Sequence, residues 1–193
     1  MTLNYTSPIF LGFFLPFISH QKIKKSIFIC TIVGFTGALL ILDPHGEWQS
    51  WFAGLVGLVS GIGAALAYIH VIQLSKLNEP DWRIVFYFTL VSSIGSGLWI
   101  SFTDYQKLVW NDIWILIPLG LSATIAQIAM TRAYRLGNSI VIGTLSYLAI
   151  VFSGIISLLY FNETMRIEDV LGALMIIISG AIASNISLKS RIN

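Results

Sequence analysis

Side chains able to do chemistry are few in this sequence, and their spacing argues for binding rather than bond breaking. The chain holds one cysteine and three histidines, with no Gly-rich phosphate loop, HExxH or paired-Cys spacing. A lone Cys30 excludes an internal disulfide and a thiolate metal site, and within its apolar run it reads as a small packing residue. Ser60 and His70 are the obvious nucleophile and base. Ten residues on one helix separate them by roughly 15 Å, whereas a nucleophile must lie within about 3 Å of its base. No catalytic residue, metal site or cofactor is expected.

Binding is better provided for. His70 is the one histidine inside an apolar run, and a polar side chain in hydrocarbon is costly enough to be a functional candidate. It sits about four residues, roughly 6 Å, from the inner end of its run, so it can also reach the interface. The densest polar stretch holds Gln127, Asn138, Ser139, Thr144, Ser146 and Tyr147. Amides and hydroxyls orient the polar groups of a ligand, and aromatic rings stack on it. His70, Gln127, Asn138, Ser146 and Tyr147 are therefore the candidate substrate contacts. For each, the plainer alternative is a hydrogen bond between helices.

The elements that must position these residues are membrane spans. Of 193 residues 56% are hydrophobic and only 10% charged, with a mean hydropathy of +0.82. Soluble domains run near 25% charged, so this chain cannot cover a globular surface and needs lipid as its solvent. A net charge of +2 is too small to suggest nucleic acid. A bilayer core about 30 Å thick needs roughly 20 apolar residues of helix. Seven stretches meet or approach that length: Leu3–Ser19, Ile23–Leu42, Trp51–Leu74, Ile84–Phe102, Ile113–Met130, Ile140–Phe161 and Ile167–Leu188. Their continuous apolar character argues against barrel strands, which alternate and are half as long. Away from their ends the spans hold no Asp or Glu, so a carboxylate proton relay is missing and facilitated or exchange transport fits better.

Lys and Arg set the orientation. The first apolar run has no basic residue before it, while Lys22, Lys24 and Lys25 follow it, which is the reverse of a signal peptide. With the N-terminus outside and the C-terminus cytoplasmic, the inner segments hold nine of the eleven basic residues, and the outer ones only Lys107 and Arg166. Trp48, Trp51, Trp110 and Trp114 then fall at the outer interface, where amphipathic rings anchor a span.

Small residues recur where spans should touch. Ala53, Gly57, Gly61 and Ala65 lie four apart on one face, and Gly34/Ala38, Ser93/Gly97 and Gly180/Ser184 read alike. Such faces let backbones approach closely, either within the chain or across a homodimer seam. An offset of 143 residues aligns Thr36-Gly37-Ala38 with Ser179-Gly180-Ala181, and the hairpins so matched carry opposite charge and orientation. That is the pattern of inverted-topology repeats in transporters.

Longer motifs carry a resemblance. YTSPIFLGFFLPF and ICTIVGFTGALLILDP resemble the fourth and fifth helices of the drug/metabolite transporter superfamily, EamA type. AALAYIHVIQLSKLNEPDWRIVFYF resembles its sixth and the start of its seventh, and MTRAYRLGNSIVIGTLSYLAIVFSGIISLLYFNE with GALMIIISG resembles helices eight to ten. The resemblance implies an all-α membrane fold that is part of a ten-helix inverted-repeat transporter. Residues 1–43 would be the last two helices of a first repeat, and 47–193 a complete second repeat of five helices. The first three helices would then be lacking. Where the family has a Glu ending its fourth helix, to match Glu163, this chain reads Ser19-His20-Gln21.

The expectation is a multi-pass carrier of the inner or plasma membrane that moves a small organic metabolite by alternating access. Two other classes stand beside it: a non-transporting fragment, and a subunit needing a partner chain.

Overall fold

In hydrocarbon no water is at hand, so each backbone N–H and C=O must be satisfied within its own segment. The computed structural model, which describes residues 2–19, 23–42, 51–103, 110–161 and 164–192, obeys this: among them every regular element is helical. A 3-10 helix Thr2–Thr6 leads into α1 (Ser7–Ser19), then α2 (Lys25–Leu42), α3 (Trp51–Lys76) and α4 (Asp81–Ser101). A 3-10 turn Trp110–Asp112 precedes α5 (Ile113–Leu136), followed by α6 (Ser139–Leu145), α7 (Leu148–Phe161) and α8 (Ile167–Ile192). Among the described residues six segments are long and apolar enough to cross a bilayer, and Leu3–Ser19 is a shorter apolar helix. Seven apolar helical segments thus stand where seven were expected, and the chain is an all-α integral membrane protein. His20, Gln21, Lys22, Trp48, Lys107 and Glu163 lie outside the described residues.

Packing divides the chain into two units, Met1–His70 with Gly137–Asn193, and Val71–Leu136. The expected repeat boundary, between 43 and 47, lies outside the described residues.

In the first unit α2 and α8 run antiparallel with their backbones in contact. A Cβ added to Gly37 would lie 2.6 Å from the Gly172 carbonyl oxygen, and one on Gly172 2.5 Å from that of Gly37. Earlier in α2, Gly34 faces Ser179, later in α8, which sets the opposite sense. Around this seam Ala38, Tyr147, Ile150, Val151 and Ile176 form a buried cluster. The small-residue face of α3 is used within the chain: Gly57 packs on Leu3, and Gly61 on Leu3 and Thr6. Of the two uses open to that face, packing within the chain or a homodimer seam, these two glycines serve the first.

The second unit is an α4–α5 hairpin held by charge at one end. Asn78, at φ 61°, and Pro80 turn the chain into α4. Asp81, in the first turn of α4, meets Arg135 at 2.8 Å and Arg132 at 3.5 Å from the end of α5. Arg135 also donates to the Glu79 carbonyl, and Arg83 pairs with Glu79 at 2.7 Å. Positive-inside anchoring alone accounts for Arg132 and Arg135 in the sequence, but both have an acid partner. Further along the hairpin Val91, Leu98, Ile117 and Ile125 are exposed apolar residues suited to acyl chains.

Candidate functional site

The sequence predicts one continuous span over 140–161, and the structure breaks it at Ser146–Tyr147, between α6 and α7. The cause is local competition for carbonyls. Thr144 Oγ1 donates to the Ile140 carbonyl at 2.9 Å and Ser146 Oγ to that of Gly143 at 2.7 Å. Such back-bonding bends helices. The backbone tightens in response: the N–H of Tyr147 reaches Thr144 O at 3.3 Å, Ala149 reaches Ser146 O at 3.1 Å, and Ile150 reaches Tyr147 O at 3.0 Å. A 3-10 stretch inside a helix often marks a hinge, and transporters build substrate sites from interrupted helices.

Tyr147, at the break, is 0% exposed. Its ring lies 6.4 Å from that of Phe35, and Gly34 leaves it room, since a Cβ there would be 3.0 Å from Tyr147 Cδ2. Its hydroxyl has no hydrogen-bond partner among the described residues. One turn earlier Thr144 Oγ1 lies 2.7 Å from Thr31 Oγ1 of α2, with both side chains fully buried.

Beyond this core lies a cavity of about 580 Å³, within the 300–1,000 Å³ typical of small-molecule sites. Ile41, Ile150, Val151 and Ala173 wall it, and each also belongs to or packs on the Tyr147 cluster. The cavity wall thus draws on the same apolar cluster as Tyr147. Gly154, Ser157 and Leu158 continue along α7, and Thr164, Met165, Arg166 and Asp169 supply the polar side. Asp169 is fixed by its position at the start of α8: its Oδ2 accepts from the Arg166 backbone N–H at 2.8 Å, and its Oδ1 pairs with the guanidinium at 3.1 Å. An apolar wall with hydroxyls and one ion pair suits an organic solute with a few polar groups, not a bare ion.

The five expected contacts fare differently. Tyr147 belongs to the apolar cluster behind the cavity wall and does not itself line the cavity. Asn138 caps α6, its Oδ1 accepting from the N–H groups of Ile140 and Val141 at 3.2 and 3.4 Å. Ser146 is bonded to Gly143, as described. His70 is exposed on α3 and does not line this cavity. Gln127, half-buried on α5, belongs to the other unit. Ser60 Oγ lies 3.5 Å from Asn4 Oδ1. Sequence reasoning passed over Ser157, Arg166 and Asp169. Only the Arg-Ile-Glu-Asp start of the last helix, with an acid three residues after Arg166, hinted at an ordered mouth.

Comparison with known proteins identifies the scaffold. The EamA-like transporter family matches residues 51–185. The chain belongs to the EamA-like transporter family. Among its EamA relatives, the pseudopaline exporter CntI of Pseudomonas aeruginosa is 25% identical over 92% of this chain and 62% of its own length. An uncharacterized transporter of Helicobacter pylori is 29% identical over 90% and 60%, and a riboflavin transporter of Vibrio cholerae 25% identical over 94% and 60%. The chain thus spans about 60% of the length of these curated relatives. One solved crystal structure superposes with a TM-score of 0.78 over 95% of this chain and 66% of the other, at 15% identity, and so shares the fold.

Proposed function

We propose that the chain is a carrier of a small organic metabolite that works by alternating access. The observation that carries this reading is the cavity of about 580 Å³ walled in part by the interrupted span, with Tyr147, whose hydroxyl has no partner among the described residues, in the cluster behind that wall. Broken helices beside solute-sized cavities are how carriers combine a binding site with a hinge. Relatives named for pseudopaline export and riboflavin transport point to small organic solutes without choosing among them. In this reading residues 1–43 complete one EamA-type repeat and 47–193 form the next, in the inner or plasma membrane, with the C-terminus cytoplasmic. Homodimerisation falls to Ser93 and Gly97 of α4, since added Cβ atoms at Gly95 and Gly97 meet nothing within 4 Å among the described residues.

A second reading follows from the 60–62% coverage of the relatives: these helices bind the solute but move it only together with further helices. Uptake of a mixed metabolite panel into proteoliposomes distinguishes the two when Gly154→Phe is run beside the wild type. Among the described residues a Cβ at Gly154 meets only Met165 Cε, at 3.9 Å, so a side chain has room to start into the cavity there, and an unchanged melting temperature checks that the fold is kept. Uptake by the wild type that falls at least about tenfold in Gly154→Phe supports a carrier using this cavity; a tenfold loss is about 1.4 kcal/mol of binding or barrier. Uptake unchanged by the substitution sinks this cavity as the site. Solute binding without uptake favours the second reading.

A further inference from the structure

We propose that the groove between α1 and α2 holds an acyl chain of an anionic phospholipid whose headgroup is bound by Lys24 and Lys25. The groove has a volume of about 490 Å³, and Phe13, Phe17 and Phe28 line it together with Gly12 and Pro16. Its floor exists because Gly12 has no side chain: an added Cβ would lie 2.6 Å from the Phe28 ring, so that ring of α2 packs directly on the α1 backbone. One turn on, Pro16 continues α1 without the N–H that the Gly12 carbonyl would otherwise receive. A polar solute in such a groove would leave its own groups unpaired, at a cost of several kcal/mol. A hydrocarbon chain loses nothing.

The charge at the mouth selects the headgroup. Lys25 lines the groove, Lys24 precedes it, and both are exposed, with no ion-pair partner among the described residues. They stand at the N-terminus of α2, and its first turn holds no acid. That end of a helix already carries about half a positive charge, so two cations there repel the dipole where an acidic residue is the usual choice. A phosphate placed between the lysines and the first N–H groups of α2 relieves both repulsions. Basic pockets between spans recognise anionic lipids in this way, at about 1 kcal/mol for each lysine near the surface. A free organic phosphate would share the headgroup chemistry but leave the aromatic walls unused.

Native mass spectrometry of the detergent-purified chain, titrated with phosphatidylglycerol or phosphatidylcholine of equal chain length, tests this. We expect retained phosphatidylglycerol in preference to phosphatidylcholine. In Lys24→Gln/Lys25→Gln the preference should fall by up to about thirtyfold, the equivalent of two surface lysines. Phe13→Ala/Phe17→Ala, which changes two exposed rings, should weaken retention of both lipids while leaving the headgroup preference. A preference that survives loss of the lysines overturns the proposal. So does phosphatidylglycerol retention indifferent to the phenylalanines, or equal competition by glycerol phosphate, which would indicate a soluble anion. A dimer mass that excludes lipid would assign the groove to a second copy instead.

Discussion

Thr31 and Thr144 place their hydroxyl oxygens 2.7 Å apart in the buried seam between α2 and α6, 113 residues apart in the chain. Each hydroxyl also lies within reach of a carbonyl of its own helix, Ile27 at 3.1 Å and Ile140 at 2.9 Å. Two hydroxyls have two hydrogens for three contacts, so the cross-link and the helix bend compete for the same protons. Thr144→Val removes one member of each. The expected loss is about 0.5–1.5 kcal/mol of stability, with a coupling to Thr31→Val of about 0.6 kcal/mol. Thermal unfolding of the two single variants and the double variant in detergent measures both, and strict additivity would deny the cross-link.

The backbone contact at Gly37 and Gly172 predicts asymmetric tolerance among the glycines. Gly37→Ala drives a methyl group into a carbonyl and should cost about 1–3 kcal/mol, as overpacking does. At Gly63 an added Cβ meets nothing within 4 Å, so Gly63→Ala should be neutral or raise stability by about 0.5–1 kcal/mol through helix propensity. Comparable melting shifts in the two variants would contradict the packing described.

Tyr147→Phe separates stability from function. Deleting a buried hydroxyl that lacks a partner among the described residues should raise stability by up to about 1–3 kcal/mol, and Phe fills nearly the same volume. If the hydroxyl serves the transport cycle, the same variant loses solute uptake at least about tenfold. Melting temperature and proteoliposome flux, measured on one preparation, test the two halves. A destabilised variant would mean the hydroxyl has a structural partner.

The hairpin clamp predicts a graded series set by burial. Asp81 is 12% exposed, Arg135 26% and Arg132 68%. Asp81→Asn leaves a largely covered guanidinium without its acid and should cost about 1–3 kcal/mol, short of the loss for a fully buried pair. Arg132→Gln should cost less than about 0.5 kcal/mol, as an exposed pair does. Chemical unfolding in detergent ranks them, and equal losses would show that Arg132 carries the whole partnership with Asp81, against the burial described.

Much of this architecture is legible in the residues alone. Continuous apolar runs place seven helical segments within a few residues of their observed positions, because hydrocarbon leaves the backbone no alternative to helix. The spacing of Gly57 and Gly61 announces a close approach, and the motifs around Arg132 to Glu163 carry the family. The break at Ser146–Tyr147 is invisible in hydropathy, since a serine in an apolar run reads the same whether its hydroxyl bonds back to its helix or across to another.

What the sequence by itself determined is the solvent, the helices and the family, all fixed by local composition. Tertiary structure alone decided the partners. It set Gly37 on Gly172, Thr31 on Thr144 and Arg135 on Asp81, and it brought Ile41, Val151 and Ala173 of three helices to one cavity wall. In a bilayer, helices gain no hydrophobic drive to associate and choose neighbours by shape and hydrogen bonding. Those terms depend on which faces meet, and no periodicity along a single helix contains that information.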